Sequence, residues 1–284
     1  WVWDGQGTSP WGITTHDGGK TWGLFYQCRI SGPHSGSITG CRLLSPILGW
    51  GVSYVWDFEL GIWSDIFRWS GGHLFRIDRV YLFGVDGVDS LHVWAVGCTL
   101  GVQEWGLILS TTNGGTRWQR QIGSPDSLPL IRKVDFIDIF FGIAIGNSGL
   151  ILRTTDGGTT WRKQFINRTL ASIAMVDTLQ GWIVGAAGTI LHTTDGGNTW
   201  FNDSSGTTVN LNGVSFVDST HGWAVGDSGF VLIYCDSLTA IEENNIPQPN
   251  QQLSSIKPLE NPTHKPVFLY HLPYGNCQTT VTIY

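Results

Sequence analysis

The amino-acid sequence predicts an all-β fold, a β-propeller whose four-stranded antiparallel blades are arranged in a ring. Three observations predict it: a turn phrase that occurs four times, a Gly-Trp position that returns about every 40–50 residues, and an unusual composition. The chain has 284 residues, with 38 Gly, 15 Trp and one Met. Such a composition suits short strands and tight turns better than long helices.

The turn phrase reads TTDGGTTW at residues 154–161, with close copies at 14–22, 111–118 and 193–200. A strand ends at the Thr pair, and the Asp carboxylate can accept hydrogen bonds from the backbone of the turn that follows. The glycines permit positive φ, and the Trp begins the next strand. This spacing, S/T-x-D-x-G-x-x-W, is that of the Asp-box.

The Asp-box residues are predicted to be structural. Equivalent positions on different blades lie around the rim of a propeller, so their carboxylates cannot converge on one substrate, and Asn113 replaces Asp in one copy. The residues expected to hold the repeated turns are Thr15, Asp17, Gly18 and Trp22; Thr111, Asn113, Gly115 and Trp118; Thr154, Asp156, Gly158 and Trp161; and Thr193, Asp195, Gly197 and Trp200. We expect the four Trp side chains to be largely buried.

The repeated unit begins at Leu130, Leu170 and Leu211 and has the same order each time. A strand ending in Asp is followed by a G-W-x-V-G strand, an I-L-x-T-T strand and the Asp-box turn. The short turns require an antiparallel meander, and a lone meander cannot bury its faces, so the units must pack side by side. Six units are visible, at residues 1–28, 41–79, 80–122, 130–166, 170–204 and 211–236.

The first unit lacks an opening strand and the sixth lacks a last strand. The chain begins with Trp1 and therefore looks like a fragment, or a product without its leader. We expect seven blades in the intact protein. We also expect an open seam between residues 1–28 and 211–236 in this chain.

Composition excludes several classes of function. The net charge of −6 argues against a nucleic-acid partner, and no apolar run approaches the ~18–20 residues of a transmembrane helix. The five cysteines show no metal-ligand spacing, although one disulfide between Cys28 and Cys41 is compatible with an exported protein. We predict no metal site and no cofactor.

Three segments of the repeat resemble a known family. GWAVGDSGFVL at 222–232, GWIVGAAGTILHTTDGGNTW at 181–200 and GLILRTTDGGTTW at 149–161 are similar to the repeats of the photosystem II stability/assembly factor family. That family has a seven-bladed Asp-box propeller, and its photosynthetic members are non-enzymatic chaperones that bind a partner protein through a basic patch. Bacterial relatives also occur in exported proteins without a photosynthetic role. The resemblance implies a binding scaffold, monomeric when intact, for a protein or glycan partner.

The C-terminal region has a different composition. Residues 237–260 read as a polar linker after a propeller at 1–236, and residues 261–284 alternate like strands. Asn261-Pro262, VFLYHLP and VTIY resemble the start of the C-terminal sorting domain of type IX secretion substrates, a small β-sandwich. This resemblance implies export to the extracellular or outer-membrane surface of a bacterium and a partial, tethered sandwich. A linker into another small β domain is the alternative.

Half of the chain's sixteen basic residues lie between positions 117 and 168. They form either a partner-binding patch on the third and fourth blades or the solvated surface of outer strands. Arg153 takes a position that Ser110 and His192 hold in other units, which makes it a candidate for function. The eight residues are Arg117, Arg120, Arg132, Lys133, Arg153, Arg162, Lys163 and Arg168.

Two further features are candidates for binding. The turns after G-W-x-V-G, at 98–99, 147–148, 186–187 and 227–228, are expected to line one face of the ring near its axis. The stretch 52–69 is rich in aromatic residues that either form a sugar- or peptide-stacking platform or fill the core of a divergent blade. They are Tyr54, Trp56, Phe58, Trp63 and Trp69.

A glycoside hydrolase of the sialidase or xyloglucanase type is the alternative function. The sequence Phe75-Arg76-Ile77-Asp78 is only faintly similar to the sialidase F-R-I-P motif, because it follows the first Asp-box and has Asp in place of Pro. Another glycosidase would need two suitably spaced carboxylates, for which Asp57 and Asp65 are candidates. Glu59 and Glu104 lie in no recognisable motif, and we predict no catalytic residues.

Overall fold

The computed structural model describes residues 2–4, 11–14, 23–27, 35–45, 48–57, 61–68, 74–101, 103–123, 127–235 and 267–271. These residues form six antiparallel sheets, one of three strands and five of four strands. The sheets are the blades of a β-propeller, and we number them one to six in chain order. Apart from strands, the described elements are three-residue 3₁₀ turns.

The strands of blades one to three are as follows: β1 (Val2–Asp4), β2 (Trp11–Thr14) and β3 (Gly23–Gln27); β4 (Ser35–Ser45), β5 (Leu48–Asp57), β6 (Gly61–Arg68) and β7 (Leu74–Asp78); β8 (Val80–Gly87), β9 (Val93–Thr99), β10 (Gly106–Thr111) and β11 (Gln119–Ile122).

The strands of blades four to six are as follows: β12 (Ile131–Phe136), β13 (Gly142–Gly146), β14 (Leu150–Thr154) and β15 (Arg162–Phe165); β16 (Leu170–Met175), β17 (Gly181–Gly185), β18 (Ile190–Thr193) and β19 (Phe201–Asp203); β20 (Leu211–Asp218), β21 (His221–Gly226), β22 (Phe230–Cys235) and β23 (Val267–His271).

Within every blade the strands are paired in chain order. The first strands of neighbouring blades, β4, β8, β12, β16 and β20, also pack against one another, so they form the inner edge, and the fourth strands form the outer edge. The predicted four-stranded meander is therefore confirmed for blades two to five.

Blade six departs from the sequence expectation. Its fourth strand is β23, which pairs with β22 so that Val231 lies opposite Tyr270 and Ile233 opposite Phe268. The expectation that this blade lacks a fourth strand was wrong, and residues 267–271 pack on the propeller although residues 261–284 were expected to form a tethered module. The open seam expected between residues 1–28 and 211–236 stays a prediction. An unpaired β22 would present a row of free backbone donors and acceptors, and the strand-forming segment VFLYH satisfies them. The seventh blade remains a prediction.

The apolar core lies between blades. The Trp94 ring of blade three stacks on Phe136 of blade four, with centroids 3.5 Å apart, and Trp182 of blade five stacks on Phe216 of blade six at 3.8 Å. Each apolar cluster joins buried residues of two successive blades. The recurring Gly-Trp position thus supplies the large ring that one blade presents to the next.

The Asp-box turns are closed by short local hydrogen bonds. In blade four, Thr154 Oγ1 donates to Asp156 Oδ1 (2.8 Å) and accepts from the Gly158 N–H (2.8 Å), while the Thr160 N–H donates to Asp156 Oδ1 (2.9 Å). Blade five repeats this pattern. In blade three Asn113 Oδ1 accepts the same bonds, since only a carbonyl-like oxygen is required there.

The Asp-box tryptophans are partly buried and lie between blades. Trp118 packs on the cluster shared by blades two and three, 6.1 Å from the Trp50 ring, and Trp161 and Trp200 occupy the next two junctions. Each ring therefore covers the contact with the preceding blade as well as its own hairpin. Thr15, Asp17, Gly18 and Trp22 lie outside the described residues.

Replacement of Asp156 by Ala should lower the free energy of unfolding by about 1–2 kcal/mol, because the Thr160 N–H and two hydroxyls lose their acceptor. Asp156→Asn should cost less, since Asn113 Oδ1 makes the equivalent bonds to the Thr hydroxyl and the turn N–H naturally and only the Thr160 hydroxyl loses its Oδ2 acceptor. Urea unfolding of the two variants measures both effects. Equal destabilisation by Asn and Ala would contradict this account.

Candidate functional site

The first strand of each of blades two to six contains a β-bulge at the same place. In blade four, for example, the register shifts between Ile131 and Lys133, which leaves Arg132 in the bulge. A bulge redirects a side chain without changing the rest of the strand. The bulged residues are Thr39, Phe83, Arg132, Ala171 and Asn212.

In blades four and six the bulged residue contacts the first residue of the turn between the second and third strands. Arg132 Nε donates to Asn147 Oδ1 (2.6 Å), and Asn212 Nδ2 donates to Asp227 Oδ1 (2.6 Å). We call the bulged residues and the residues at this turn position the rim. The residues at this position are Asn147, Ala186 and Asp227, which lie in turns, and Tyr54 and Cys98, which lie within β5 and β9.

The backbone of the rim turns is uniform in blades four to six. Ser148, Ala187 and Ser228 all have left-handed backbone angles, with φ of 57°, 52° and 58°, and each precedes a glycine of positive φ. Non-glycine residues rarely adopt this conformation. A constant backbone thus carries different side chains from blade to blade, on the face that the sequence indicated.

The rim carries a row of aromatic rings that ends in a cation. Tyr54 stacks on Tyr81 with centroids 4.5 Å apart, Tyr81 lies 5.2 Å from Phe83, and the Arg132 Cζ lies 5.4 Å from the Phe83 ring. The three rings are half-buried and Arg132 is exposed. We call Tyr54, Tyr81, Phe83 and Arg132 the aromatic row; it spans blades two, three and four.

Tyr81 of the aromatic row and Cys98, opposite it in the strand register, stay uncharged at neutral pH. Burial raises the pKa of Tyr81, and the hydrogen bond and charge of the neighbouring Tyr54 raise it further. Burial also raises the pKa of Cys98 to about 11, with Glu104 adding to the shift. Tyr81 is therefore a neutral hydrogen-bonding group, and the Cys98 thiol is not a nucleophile at neutral pH.

Sequence reasoning found two members of this row, in separate groups, and missed two. Tyr54 was placed in an aromatic platform and Arg132 among the basic residues. Tyr81 and Phe83 were not among the candidates. One signal was available in the sequence. Phe83 occupies a position that is Ala171 in blade five and Asn212 in blade six, so the core does not require an aromatic residue there.

The aromatic platform expected at residues 52–69 is not one surface. Trp63 is only 2% exposed and belongs to the core, with the Arg76 Cζ 4.0 Å from its ring centroid. Trp56 is exposed, whereas Tyr54 faces the rim. The structure does not describe Phe58 or Trp69.

The eight basic residues do not form one patch. Arg120, Arg162 and Lys163 lie on the outermost strands β11 and β15, whereas Arg132 and Lys133 lie on the innermost strand β12. At a spacing of ~4.8 Å the two edges of a four-stranded blade are about 14 Å apart. Arg117 lies in an Asp-box turn, and Arg168 lies in the connection between blades four and five.

Arg153 has a structural role that its sequence position concealed. Its Nε donates to the Gly196 carbonyl of blade five (2.6 Å), and it lies opposite Ile143 in the strand register. In blade three Trp94 occupies the Ile143 position, and its Nε1 donates to the equivalent Gly157 carbonyl (3.2 Å). Arg153 therefore replaces the missing indole donor, and this contact accounts for its departure from Ser110 and His192.

One of the candidate acids for catalysis, Asp65, has structural partners. Asp65 is buried and accepts a hydrogen bond from Trp63 Nε1 (3.3 Å), with Arg76 Nε at 3.8 Å. Burial raises the pKa of Asp65, and these partners oppose the shift. Glu104 is exposed, and the side chains of Asp57 and Glu59 are outside the described part of the chain.

The carboxyl groups of Asp86 and Asp135 join blades two to five at the inner edge. Asp86 Oδ1 lies 2.9 Å from Arg42 Nε, and its Oδ2 accepts the Phe136 N–H (2.6 Å). Asp135, at the equivalent position of blade four, accepts the Met175 N–H (2.6 Å). Burial raises the pKa of Asp86 to about 7 and that of Asp135 in the same direction, and the Asp135 charge adds to the shift at Asp86.

This shift predicts a pH dependence of stability. Because the pKa of Asp86 is higher in the folded protein than its ordinary 3.8, folding retains a proton between pH 3.8 and about 7, and stability falls as pH rises through that window. The free energy of unfolding in urea should therefore drop between pH 5 and pH 8. The Asp86→Asn variant should show a smaller drop, and an identical pH profile would refute the assignment.

Comparison with known proteins agrees with the fold. The family model described as photosynthesis system II assembly factor YCF48 matches residues 124–201 and 166–235, which is less than half of the chain. No curated protein matches the sequence. The chain is thus a β-propeller with repeats similar to those of the photosystem II assembly factors.

Three solved structures illustrate the likeness. YCF48 from Cyanidioschyzon merolae is 17% identical with a TM-score of 0.50, over 69% of this chain and 66% of that chain. The GH74 enzyme from Niastella koreensis is 15% identical with a TM-score of 0.50, over 69% of this chain and 36% of its own. The RRP9 WD40 repeats are 8% identical with a TM-score of 0.51, over 70% and 76%.

These identities show the fold alone, and the chain spans just under two thirds of YCF48 and about a third of the GH74 enzyme. Among the described residues, no helix has the length and apolar character needed to cross a membrane. The same residues contain no cluster of three or more His, Cys, Asp or Glu side chains suited to a metal ion.

Proposed function

We propose that the protein is a non-enzymatic binding scaffold that holds a protein or glycan partner on its rim. The observation that carries this proposal is the aromatic row, in which three half-buried rings from two blades end at the exposed Arg132. The similarity of the repeats to those of the photosystem II assembly factors supports a binding role. The partner is unidentified.

The rim offers complementary groups for an extended ligand. The aromatic rings present faces to an apolar side chain or a sugar, and the Arg132 guanidinium has N–H groups besides the Nε that Asn147 accepts. Asp227 lies further along the rim, where hydrogen bonds from Asn212 and Asn210 lower its pKa and keep it ionised. The small Ala171 and Ala186 leave space between these two charges.

Phe83→Ala and Arg132→Ala should each raise the dissociation constant of a ligand bound at the rim by more than about tenfold, as expected for an aromatic or arginine anchor. Ligands would be selected from peptide and glycan arrays with the full chain, and their dissociation constants measured by calorimetry. Arg120→Ala is the matched control, because Arg120 is an exposed arginine on an outermost strand. Equal effects of Arg120→Ala and Arg132→Ala, or no effect of either rim variant, would contradict the proposal.

A glycoside hydrolase is the competing function, favoured by the structural likeness to the GH74 enzyme. The two functions differ in one measurable property, turnover. Hydrolysis of sialosides or β-glucans by the full chain, lost on replacement of Asp57 or Asp65, would overturn the binding proposal.

We also propose that the protein is exported and acts as a monomer when intact. Support comes from the similarity of residues 261–284 to the start of a type IX sorting domain. In a bacterium with that secretion system, the chain should appear outside the cell, and removal of residues 272–284, which leaves β23 in place, should retain it inside. Equal export of both forms would contradict the proposal.

A further inference from the structure

The edge of the blades opposite the rim carries a second repeated turn. This turn joins the first and second strands, and it begins with an Asp whose Oδ1 accepts the N–H groups two and three residues ahead at 2.6–2.8 Å. Such double acceptance fixes the turn. The four residues are Asp89, Asp138, Asp177 and Asp218.

In blades three to five a large apolar residue stands at the tip of this turn. Leu91, Phe140 and Leu179 are 49%, 59% and 56% exposed. Their carbonyls accept N–H groups from the Asp-box glycines of the same blade, Gly114, Gly157 and Gly196, at 3.1, 2.9 and 2.8 Å. The backbone of each tip is thus held at two points while half of its side chain faces solvent.

The tips do not serve the core of their own blades. A buried apolar residue would be expected to lose nearly all its exposure, as Phe141 does beside Phe140. Blade six has no Asp-box, and it has Thr220 at the tip position. A single exposed apolar residue needs no explanation, but three at equivalent positions of consecutive blades form a repeated surface feature.

Carboxylates surround the tips. Asp138 and Asp156 flank Phe140 in blade four, and Asp177 and Asp195 belong to the same two turns in blade five. Hydrogen bonds from Thr160 and Thr199 lower the pKa of Asp156 and Asp195, so both are ionised at neutral pH.

Two basic groups near the tips of blades four and five, Arg153 and Arg162, donate to neutral acceptors. Arg153 Nε donates to the Gly196 carbonyl, and an Arg162 guanidinium N–H donates to Asn198 Oδ1 (3.0 Å). Both guanidinium groups keep their charge, but four carboxylates, those of Asp138, Asp156, Asp177 and Asp195, outnumber them, so the balance of charge around Phe140 and Leu179 is negative.

From this combination we propose that Leu91, Phe140 and Leu179, with the carboxylates around them, form a docking ridge for a basic amphipathic segment of a partner protein. Apolar side chains of the segment would cover the tips, and its Lys or Arg side chains would face the Asp carboxylates. The ridge is separate from the rim because the two lie at opposite ends of antiparallel strands. The protein can thus hold two partners at once.

The test uses the full chain and a fluorescein-labelled peptide of alternating Leu and Lys, with binding followed by fluorescence anisotropy. Phe140→Ser and Leu179→Ser should each weaken binding severalfold, and the double variant at least tenfold. Phe165→Ser is the matched control, because Phe165 is 58% exposed but lies on an outermost strand at the rim end. Salt should also weaken binding, because the charges are exposed.

Three results would overturn the ridge: equal loss of binding in Phe165→Ser, unchanged binding in the double variant, or equal binding of a Leu–Glu peptide. Leu179→Lys controls for a folding artefact, since it keeps a long side chain at an exposed site. It should weaken binding of the Leu–Lys peptide more than Leu179→Ser does, because it adds a positive charge. Phe83→Ala should bind the peptide normally, which separates the ridge from the rim.

Discussion

A four-stranded blade cannot bury both of its faces alone, so the structure depends on apolar contact between successive blades. Trp94 on Phe136 and Trp182 on Phe216 are the same contact made at two junctions. Because each apolar cluster takes residues from two successive blades, the strands of one blade must meet those of the next at a fixed spacing. The Asp-box maintains that spacing: it closes a hairpin and places a Trp, such as Trp161, over the junction with the preceding blade.

This constraint separates the parts of the chain that must repeat from those that are free to vary. Strand interiors and Asp-box turns form the blade contacts, and their residue types return in each unit. The bulge at Phe83, Arg132 or Asn212 lies outside those contacts, so its side chain can change while the strand stays in place. The rim is therefore where this fold can acquire binding specificity without loss of stability.

The blade boundaries and turn geometry could be predicted because both are local. The residues of a Thr-x-Asp-Gly-Gly turn make hydrogen bonds with one another, and the spacing between successive turns along the sequence gives the number of strands in each blade. The aromatic row could not be predicted in the same way, since Tyr54, Tyr81 and Phe83 come from two blades and the row ends at Arg132 on a third. Pairing of β23 with β22 was missed for a related reason: strand alternation does not identify the partner strand.

Arg153 shows how a departure from the repeat should be interpreted. It looked functional because Ser110 and His192 hold its position elsewhere, yet it donates to the next blade where Ile143 has removed an indole N–H. The two unusual residues of blade four, Ile143 and Arg153, thus compensate each other: Arg153 supplies the hydrogen-bond donor that Ile143 lacks. The Arg132 Nε instead donates within its own blade, to Asn147, and the guanidinium reaches the Phe83 ring of blade three at an exposed edge. Arg132 thus makes no contact with a backbone carbonyl of the next blade like that of Arg153, and its exposed position is what the proposed binding function would use.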